Sequence, residues 1–433
     1  MRANRSRLNN ILDAYRILKG NAKVSVVCEP LWAFPFALFN FYLSLYMKEL
    51  GVTDRQLGYL ISLGYMFSIF SSLLSGMIID KLGRKRTTLI FDFISWPLAL
   101  FVYFISNSFA LFALATFLNS FSKLVHVSWN LMVIEDADNE QRIAAFNLFN
   151  FINIVSGLIV PLAGVLVGAY GVVTAERIFL AFAIISMSTM IIVRNHFYTE
   201  TKIGQSIIDE SKKNPLPLNW KNIIPLKAAV MLRGNIRAIT AALVYIMFYI
   251  YIPLGTVQSL YFAPFMTEFM KLGKSSVSIL GGVYSGVVLF VAVFITPAIA
   301  RYNNARNIMY GFAIQAVSLF ILIMLPTGSL PATMLCIGIY ALGFGICRPF
   351  IDAMLAEATE GNKRARIYSL VNTVACAATA VLGFVSGSIY LFDPRFIYIV
   401  SIAILTTCII LLAAHERAKP GSPDTNTSMQ SYD

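Results

Sequence analysis

Apolar runs of roughly 20 or more residues dominate the chain, each long enough to cross a ~30 Å hydrocarbon core as a helix. They are read at Val24–Met47, Leu57–Ile79, Thr87–Ser106, Phe109–Ile134, Ile143–Ala169 and Thr174–Val193. After a polar stretch they resume at Ala238–Pro264, Val277–Ala300, Asn307–Leu325, Leu330–Ala356, Ile367–Leu391 and Phe396–Ala414. The runs are continuously apolar and do not alternate, which excludes a β-barrel. Only 13% of the 433 residues are charged, against roughly 25% in a soluble domain. The expected fold is an all-α membrane protein of twelve transmembrane helices.

The net charge of +12 reports orientation rather than a nucleic-acid partner. Lys and Arg gather at Arg2–Lys23, Lys81–Arg86, Arg194–Arg237, Lys363–Arg366 and the C-terminal tail, all on one face if the number of spans is even. About 26 of the 34 basic residues fall there and about 6 opposite, the positive-inside pattern of a cytoplasmic face. Both termini are therefore expected in the cytoplasm and the chain in a cell inner membrane. The first 23 residues are basic and polar and the first apolar run is long enough to span, so no cleaved leader is expected. Cys28, Cys336, Cys347, Cys376 and Cys408 stand singly in apolar segments, a pattern that indicates neither disulfides nor a metal site.

The chain repeats itself. Leu18-Lys19-Gly20-Asn21-Ala22-Lys23 precedes the first span and Leu232-Arg233-Gly234-Asn235-Ile236-Arg237 the seventh. At a constant offset of 222, Glu135, Asp138, Arg142, Phe146, Leu148 and Asn150 correspond to Glu357, Glu360, Arg364, Tyr368, Leu370 and Asn372. The organisation that follows is a cytoplasmic segment (1–23), a six-helix bundle (24–194), a cytoplasmic linker (195–237), a second six-helix bundle (238–415) and a cytoplasmic tail (416–433). Such repeats mark secondary transporter folds, in which one half rocks against the other about a midplane site. In the linker, Trp220–Leu232 is expected as an amphipathic helix on the membrane surface, and Leu8–Lys19 likewise at the N-terminus. The tail, rich in Pro, Ser, Thr and Asn, is expected to be disordered.

Between spans two and three stands Gly76-Met77-Ile78-Ile79-Asp80-Lys81-Leu82-Gly83-Arg84-Lys85-Arg86. This segment resembles the GxxxD(R/K)xGR(K/R) signature of the major facilitator superfamily, and with twelve spans and the 6+6 repeat the resemblance covers nearly the whole chain. It implies two pseudo-symmetric bundles working by alternating access. It also implies that Asp80 sits at the N-terminus of span eleven, where a carboxylate meets the positive end of the helix dipole and latches the cytoplasmic side. Gly76 would permit close helix approach and Gly83 a tight turn. Arg84, Glu135 and Arg142 would complete a charge relay, with Glu357 and Arg364 as counterparts in the second half. There the signature has decayed to Ala298, Tyr302, Asn303, Asn304, Ala305 and Arg306, so a second latch would be weaker. The bland reading is that Lys81, Arg84, Lys85 and Arg86 only set topology. A drug–proton antiporter signature in span five is partly present: Gly157, Pro161, Gly164 and Gly168 keep its spacing, while Val160 and Val165 replace glycines.

Ionisable residues inside spans cost at least ~2.5–3.5 kcal/mol each at mid-helix and are functional candidates. The resemblance implies that spans one, four, seven and ten line the cavity. In span four, Asn119, Lys123, His126 and Asn130 recur at steps that share one helix face. Span ten carries Arg348 and Asp352, span one Glu29, Trp32 and Asn40, and span seven Tyr249, Gln258 and Tyr261 around Pro253, Gly255 and Pro264. The substrate-binding set expected is Asn119, Lys123, His126, Arg348, Trp32, Asn40, Tyr249 and Gln258. Glu29, His126 and Asp352 are the proton-coupling candidates, and plain helix-to-helix ion pairing is the competing reading. Asn147, Asn150 and Asn153 in span five read as helix-joining more than ligand-binding, and Asp92 as a shallow residue that snorkels or pairs with loops.

The function expected is secondary active transport of a small organic solute, coupled to protons, with a polar or anionic solute favoured by Lys123 and Arg348. Multidrug efflux by drug/proton antiport is the alternative, and a membrane receptor or enzyme that kept the fold and lost transport is an alternative of another class. No nucleotide-binding loop, cofactor site, metal site or paired-carboxylate cluster of an enzyme is seen. The expected partners are the solute, the proton and the lipid bilayer, and the expected state is a monomer.

Overall fold

The computed structural model describes residues 13–213, 235–358 and 364–417. The expected helix at Trp220–Leu232 and the tail lie outside these residues, as does most of the N-terminal segment.

In the first half, α1 (Gly20–Glu49), α2 (Asp54–Leu82), α3 (Arg84–Ile105) and α4 (Phe109–Ile134) run up and down. They are followed by α5 (Asn139–Gly157) and α6 (Val160–Phe197). Eleven helices among the described residues are long and apolar enough to cross a membrane. One of these is the 59-residue stretch Asn139–Phe197, broken at Gly171, where φ is 78° and ψ 165°. At ~1.5 Å per residue that stretch is far too long for one crossing, so it makes spans five and six and brings the total to twelve. An amphipathic α7 (Lys202–Lys213) follows. The second half comprises α8 (Ile236–Gly255), α9 (Lys274–Phe290, extended through a π turn to Ile299), α10 (Asn304–Met324), α11 (Leu330–Ala358), α12 (Arg364–Phe392) and α13 (Arg395–Arg417). Span seven is interrupted as its prolines and glycine predict: α8 ends at Gly255, and helix resumes only at Phe262–Pro264.

Local chemistry sets the ends. Thr53 and Gln56 form a reciprocal capping box at the start of α2, with the Thr53 amide donating to Gln56 Oε1 at 2.9 Å. Asp138 caps α5 by accepting from the Gln141 amide at 2.8 Å and from its side chain at 2.9 Å. Those bonds hold the Asp138 carboxyl below its ordinary range. A depressed carboxyl contributes stability above its unfolded pKa and loses it as pH falls through the folded one. Asp138→Ala is therefore expected to lower the melting temperature at pH 7, with the gap from wild type closing below about pH 4, near the unfolded value. Melting curves of the two proteins from pH 7 down to pH 3 check this.

The halves meet along α2 and α12, and along α5, α6 and α9. Small residues make this possible. A Cβ on Gly58 would stand 2.6 Å from the Gly383 carbonyl and 2.8 Å from the Gly387 amide. One on Gly164 would stand 2.0 Å from Ser278 Oγ, and one on Gly157 2.1 Å from Ser285 Oγ. The glycines that partly resemble an antiporter signature thus serve as the seat of α5 and α6 on α9. Elsewhere the helices turn large apolar side chains outward, including Leu335, Val381, Phe384 and Phe392, as a lipid-facing surface requires.

Polar contacts between the halves gather on the face away from the start of α1 and the end of α13. There Lys48 binds both Asp54 and Glu268, the latter at 2.6 Å across the halves, and Lys274 pairs with Glu49. The Tyr42 hydroxyl donates to the Lys274 carbonyl at 2.8 Å, and Ser62 Oγ to the Ala380 carbonyl at 2.6 Å. This distal face is closed.

Candidate functional site

Between the halves lies a cavity of about 670 Å³. α1 contributes Phe36, Asn40 and Phe41, and α5 contributes Asn147, Asn150 and Asn153. Gln258 enters from the break in span seven, Tyr284 and Thr296 from α9, and Phe344 and Arg348 from α11. Asn147 lies about two turns from the start of α5 and Thr296 close to the end of the α9 extension. The cavity therefore runs from beneath the closed distal face, where Gly281 and Val257 line it, toward the end of the bundle that carries the termini. Five amide side chains and one guanidinium converge on it.

Arg348 donates through Nη2 to the Tyr249 hydroxyl at 3.2 Å. Its guanidinium stands 5.7 Å from the Phe248 ring centre and 5.5 Å from that of Tyr249, a cation–π cradle that fixes the head. Tyr249 stacks on Tyr245 at 4.3 Å. Glu29 sits at the break in α1 between Cys28 and Pro30, nearly buried, and accepts from Asn153 Nδ2 at 3.2 Å. Asn153 thus touches the cavity with one side and a buried carboxyl with the other.

Span four departs from expectation. Among the described residues α4 supplies no wall of this cavity. Asn119 donates to the Ser95 carbonyl at 2.9 Å, in the π turn Ile94–Leu98 of α3, and so joins two helices. Lys123 and His126 are exposed on the side toward Cys376 of α12, and His126 Nε2 lies 3.1 Å from Asn130 Nδ2. Trp32 is also withdrawn, stacked on Phe36 at 4.7 Å and edge-on to Trp96 at 5.3 Å. It backs the wall through Phe36. Asp92 does not reach loops or solvent; it is buried and paired with Arg194 of α6. The side chains of Asp352 and Arg364 lie outside the described residues.

The sequence profile of the Major Facilitator Superfamily matches residues 31–270 and 256–430. The chain belongs to the major facilitator superfamily. The fold resembles a POT family transporter in complex with 5-aminolevulinic acid, with TM-score 0.70 and 13% identity over 92% of this chain and 95% of that one. It also resembles a variant of the nucleoside transporter NupG, with TM-score 0.69 and 14% identity over 91% and 99%. A D-xylose–proton symporter gives TM-score 0.67 and 14% identity over 90% and 96%. No curated protein matches the sequence. The protein is a multi-span transporter of this superfamily, and likeness at such identities speaks for the fold alone.

In this superfamily transporter the signature loop is built as a clasp within the first half. Arg84 binds Glu135 through Nε and Nη2 at 3.1–3.3 Å. Asp80 lies 3.6 Å from Arg84 Nη1. Thr201 donates to Glu135, and Glu200 accepts from the Arg84 and Lys85 amides at 3.1 and 3.0 Å, capping α3. Gly83 has φ of 83° and its missing side chain leaves the space that Glu200 and Ile208 of α7 fill. Arg142 stands outside the relay expected of it: its Nε donates to the Ile134 carbonyl at 2.8 Å and so caps α4. A Cβ on Gly76 would meet nothing within 4 Å, so the close helix approach expected of this glycine is not made in this structure. In the second half Glu357, the counterpart of Glu135, accepts from Asn304 Nδ2 at 2.7 Å, although at the offset of 222 Asn304 stands in the place of Leu82 and Arg306 in that of Arg84.

Asn147, Asn150, Asn153 and Glu200 are the residues that sequence reasoning undervalued or passed over. The asparagines recur every third residue, a signal that was visible. What it lacked was the seat of Gly157 and Gly164 on α9, which turns that polar edge toward the gap between the halves.

Proposed function

We propose that this transporter moves a small polyhydroxy solute bearing a carboxylate or similar anionic group, by alternating access between its halves. The observation that carries the reading is the convergence of Asn40, Asn147, Asn150, Asn153, Gln258 and Arg348 on one interhalf cavity beneath a closed face. Amides offer both donors and acceptors to hydroxyl groups, and a guanidinium grips a carboxylate in bidentate fashion. The volume lies within the ~300–1,000 Å³ usual for small-molecule sites. The positive-inside reading of the basic loops supports a cavity that opens to the cytoplasmic side of a cell inner membrane, which would make this conformation inward-open and the distal face the outer one. Asp80 meets the start of α12 when the inner side closes, with Arg84 and Glu135 holding the loop ready. Glu29 couples a proton to the cavity through Asn153, and the working unit is the monomer.

Thermal shift of the purified protein with glucuronate, glucose and tetraphenylphosphonium tests the substrate class. Glucuronate is expected to stabilise, at ~100 Kd by about 2.7 kcal/mol, and Arg348→Ala to abolish that shift. Stabilisation by tetraphenylphosphonium alone, unchanged in Arg348→Ala, would replace this reading with drug efflux.

A further inference from the structure

Glu176 stands in the first turns of span six, just inside the distal face. Its side chain is 0% exposed, and neither carboxyl oxygen has a hydrogen-bond partner. The neighbouring Arg177 does not serve it. Adjacent helical residues point about 100° apart, and the Arg177 side chain lies against the Tyr46 hydroxyl instead. The groups facing Glu176 from α1 are Tyr42 and Tyr46, whose hydroxyls are committed elsewhere: Tyr42 to the Lys274 carbonyl, Tyr46 to the Tyr103 carbonyl of α3 at 3.0 Å. The α9 groups that meet Tyr42 are committed as well: the Ser278 hydroxyl donates to the Ser275 carbonyl at 2.9 Å, and the Lys274 ammonium pairs with Glu49. An ionised carboxylate without donors or counter-ion in such surroundings is far costlier than a neutral one. At the offset of 222 the second half carries Tyr398, also buried, so the acid belongs to one half only.

We infer that Glu176 is a proton-binding latch: closing the outer face takes up one proton there, and opening that face releases it. The switch is Tyr42. While the outer face is closed, its hydroxyl is held by the Lys274 carbonyl of the opposite half and Glu176 must keep its proton. When the halves part on that side, Tyr42 loses this acceptor, its hydroxyl turns to Glu176, and entering water completes the solvation of a carboxylate. Acid outside thus favours closure, and alkali favours opening. The inference rests on the alternating-access reading above, and it concerns a different residue from the cavity-side carboxyl Glu29.

The test uses the full chain in liposomes. Infrared spectra of wild type and Glu176→Gln at pH 7.5 report whether a neutral carboxyl is lost with the substitution. Spin labels at Asn107→Cys and Thr327→Cys, on outer loops of the two halves, report the opening of that face from pH 5 to pH 9. The expected result is a neutral carboxyl band absent from Glu176→Gln. With it, the open-to-closed ratio in wild type should rise up to about tenfold per pH unit, the slope of a single proton, and that dependence should vanish in Glu176→Gln. A missing band in wild type, or an equal pH response in both proteins, overturns the latch. If the labels never separate, even in Gly387→Val, alternating access itself fails and the latch with it, whatever the infrared band shows.

Discussion

Gly387→Val should prevent the outer face from closing and so reduce transport by about a hundredfold or more. A Cβ at Gly387 would stand 2.5 Å from the Asp54 carbonyl and 2.6 Å from Arg55 Cα. Both are backbone atoms at the start of α2, which cannot turn aside as a flexible side chain can. The opposing glycines leave no slack, since a Cβ on Gly383 would itself stand 2.9 Å from the Ile61 and Ser62 side chains. A branched residue therefore forces α2 and α12 apart over the stretch that carries the Ser62–Ala380 bond and the Tyr59–Phe384 stack at 5.1 Å. Overpacking of this kind costs ~1–3 kcal/mol in a core that can partly adjust, and a contact made twice over by backbone sits at the upper end. About 3 kcal/mol shifts the closed-to-open ratio by more than a hundredfold. The spin-label pair on the outer loops should report the long distance at every pH. A short distance as in wild type, with transport intact, would show that the two helices tolerate a wider spacing and that their packing does not set the closed state.

The helices and their pairing into halves were legible because each depends on local information. Twenty apolar residues must cross as helix, and the repeat at an offset of 222 residues places the second bundle on the pattern of the first. The break in span seven was legible from Pro253 and Gly255, and the pair of Arg84 with Glu135 from the signature and its resemblance to a known family. The cavity wall was only partly legible. Asn40, Gln258 and Arg348 line it, whereas Asn119, chosen by the same reasoning, spends its amide on the Ser95 carbonyl in the π turn around Pro97. Helix periodicity says which residues share a face but not which neighbour that face meets, and that choice lies in interhelical packing. The asparagines of α5 illustrate this: their direction is set by glycines one to several turns away pressing on serines of α9. Glu200 was illegible for a similar reason, since a single acid after span six becomes a helix cap only once the chain folds back onto Gly83. Gly76 shows that a motif can be present while the helix contact expected of it is not made in this structure.

Arg84→Ala should destabilise the first half by about 3–5 kcal/mol, the usual result of removing one partner from a buried ion pair. The side chains of Arg84 and Glu135 are 4% and 8% exposed, so water cannot replace the lost guanidinium. What remains, among the described residues, is a carboxylate that keeps the Thr201 hydroxyl as a donor and has Asp80 as a like-charged neighbour. The loss should spread to the linker, because Thr201 and Glu200 hold the segment leading into α7 through this same cluster. Protease cleavage between Tyr198 and Lys213 should therefore accelerate in step with the fall in melting temperature. Arg84→Lys keeps the charge but cannot reproduce the forked contact to both oxygens and should fall between. The decisive comparison is a double-mutant cycle with Glu135→Gln. Once the carboxylate is neutral the absence of Arg84 leaves no uncompensated charge, so Arg84→Ala with Glu135→Gln should be more stable than Arg84→Ala alone. Additive losses would mean that the two residues act independently, and the charge relay would reduce to packing. If the coupling holds, the signature arginine neutralises Glu135 within the half while its Nη1 stays 3.6 Å from Asp80.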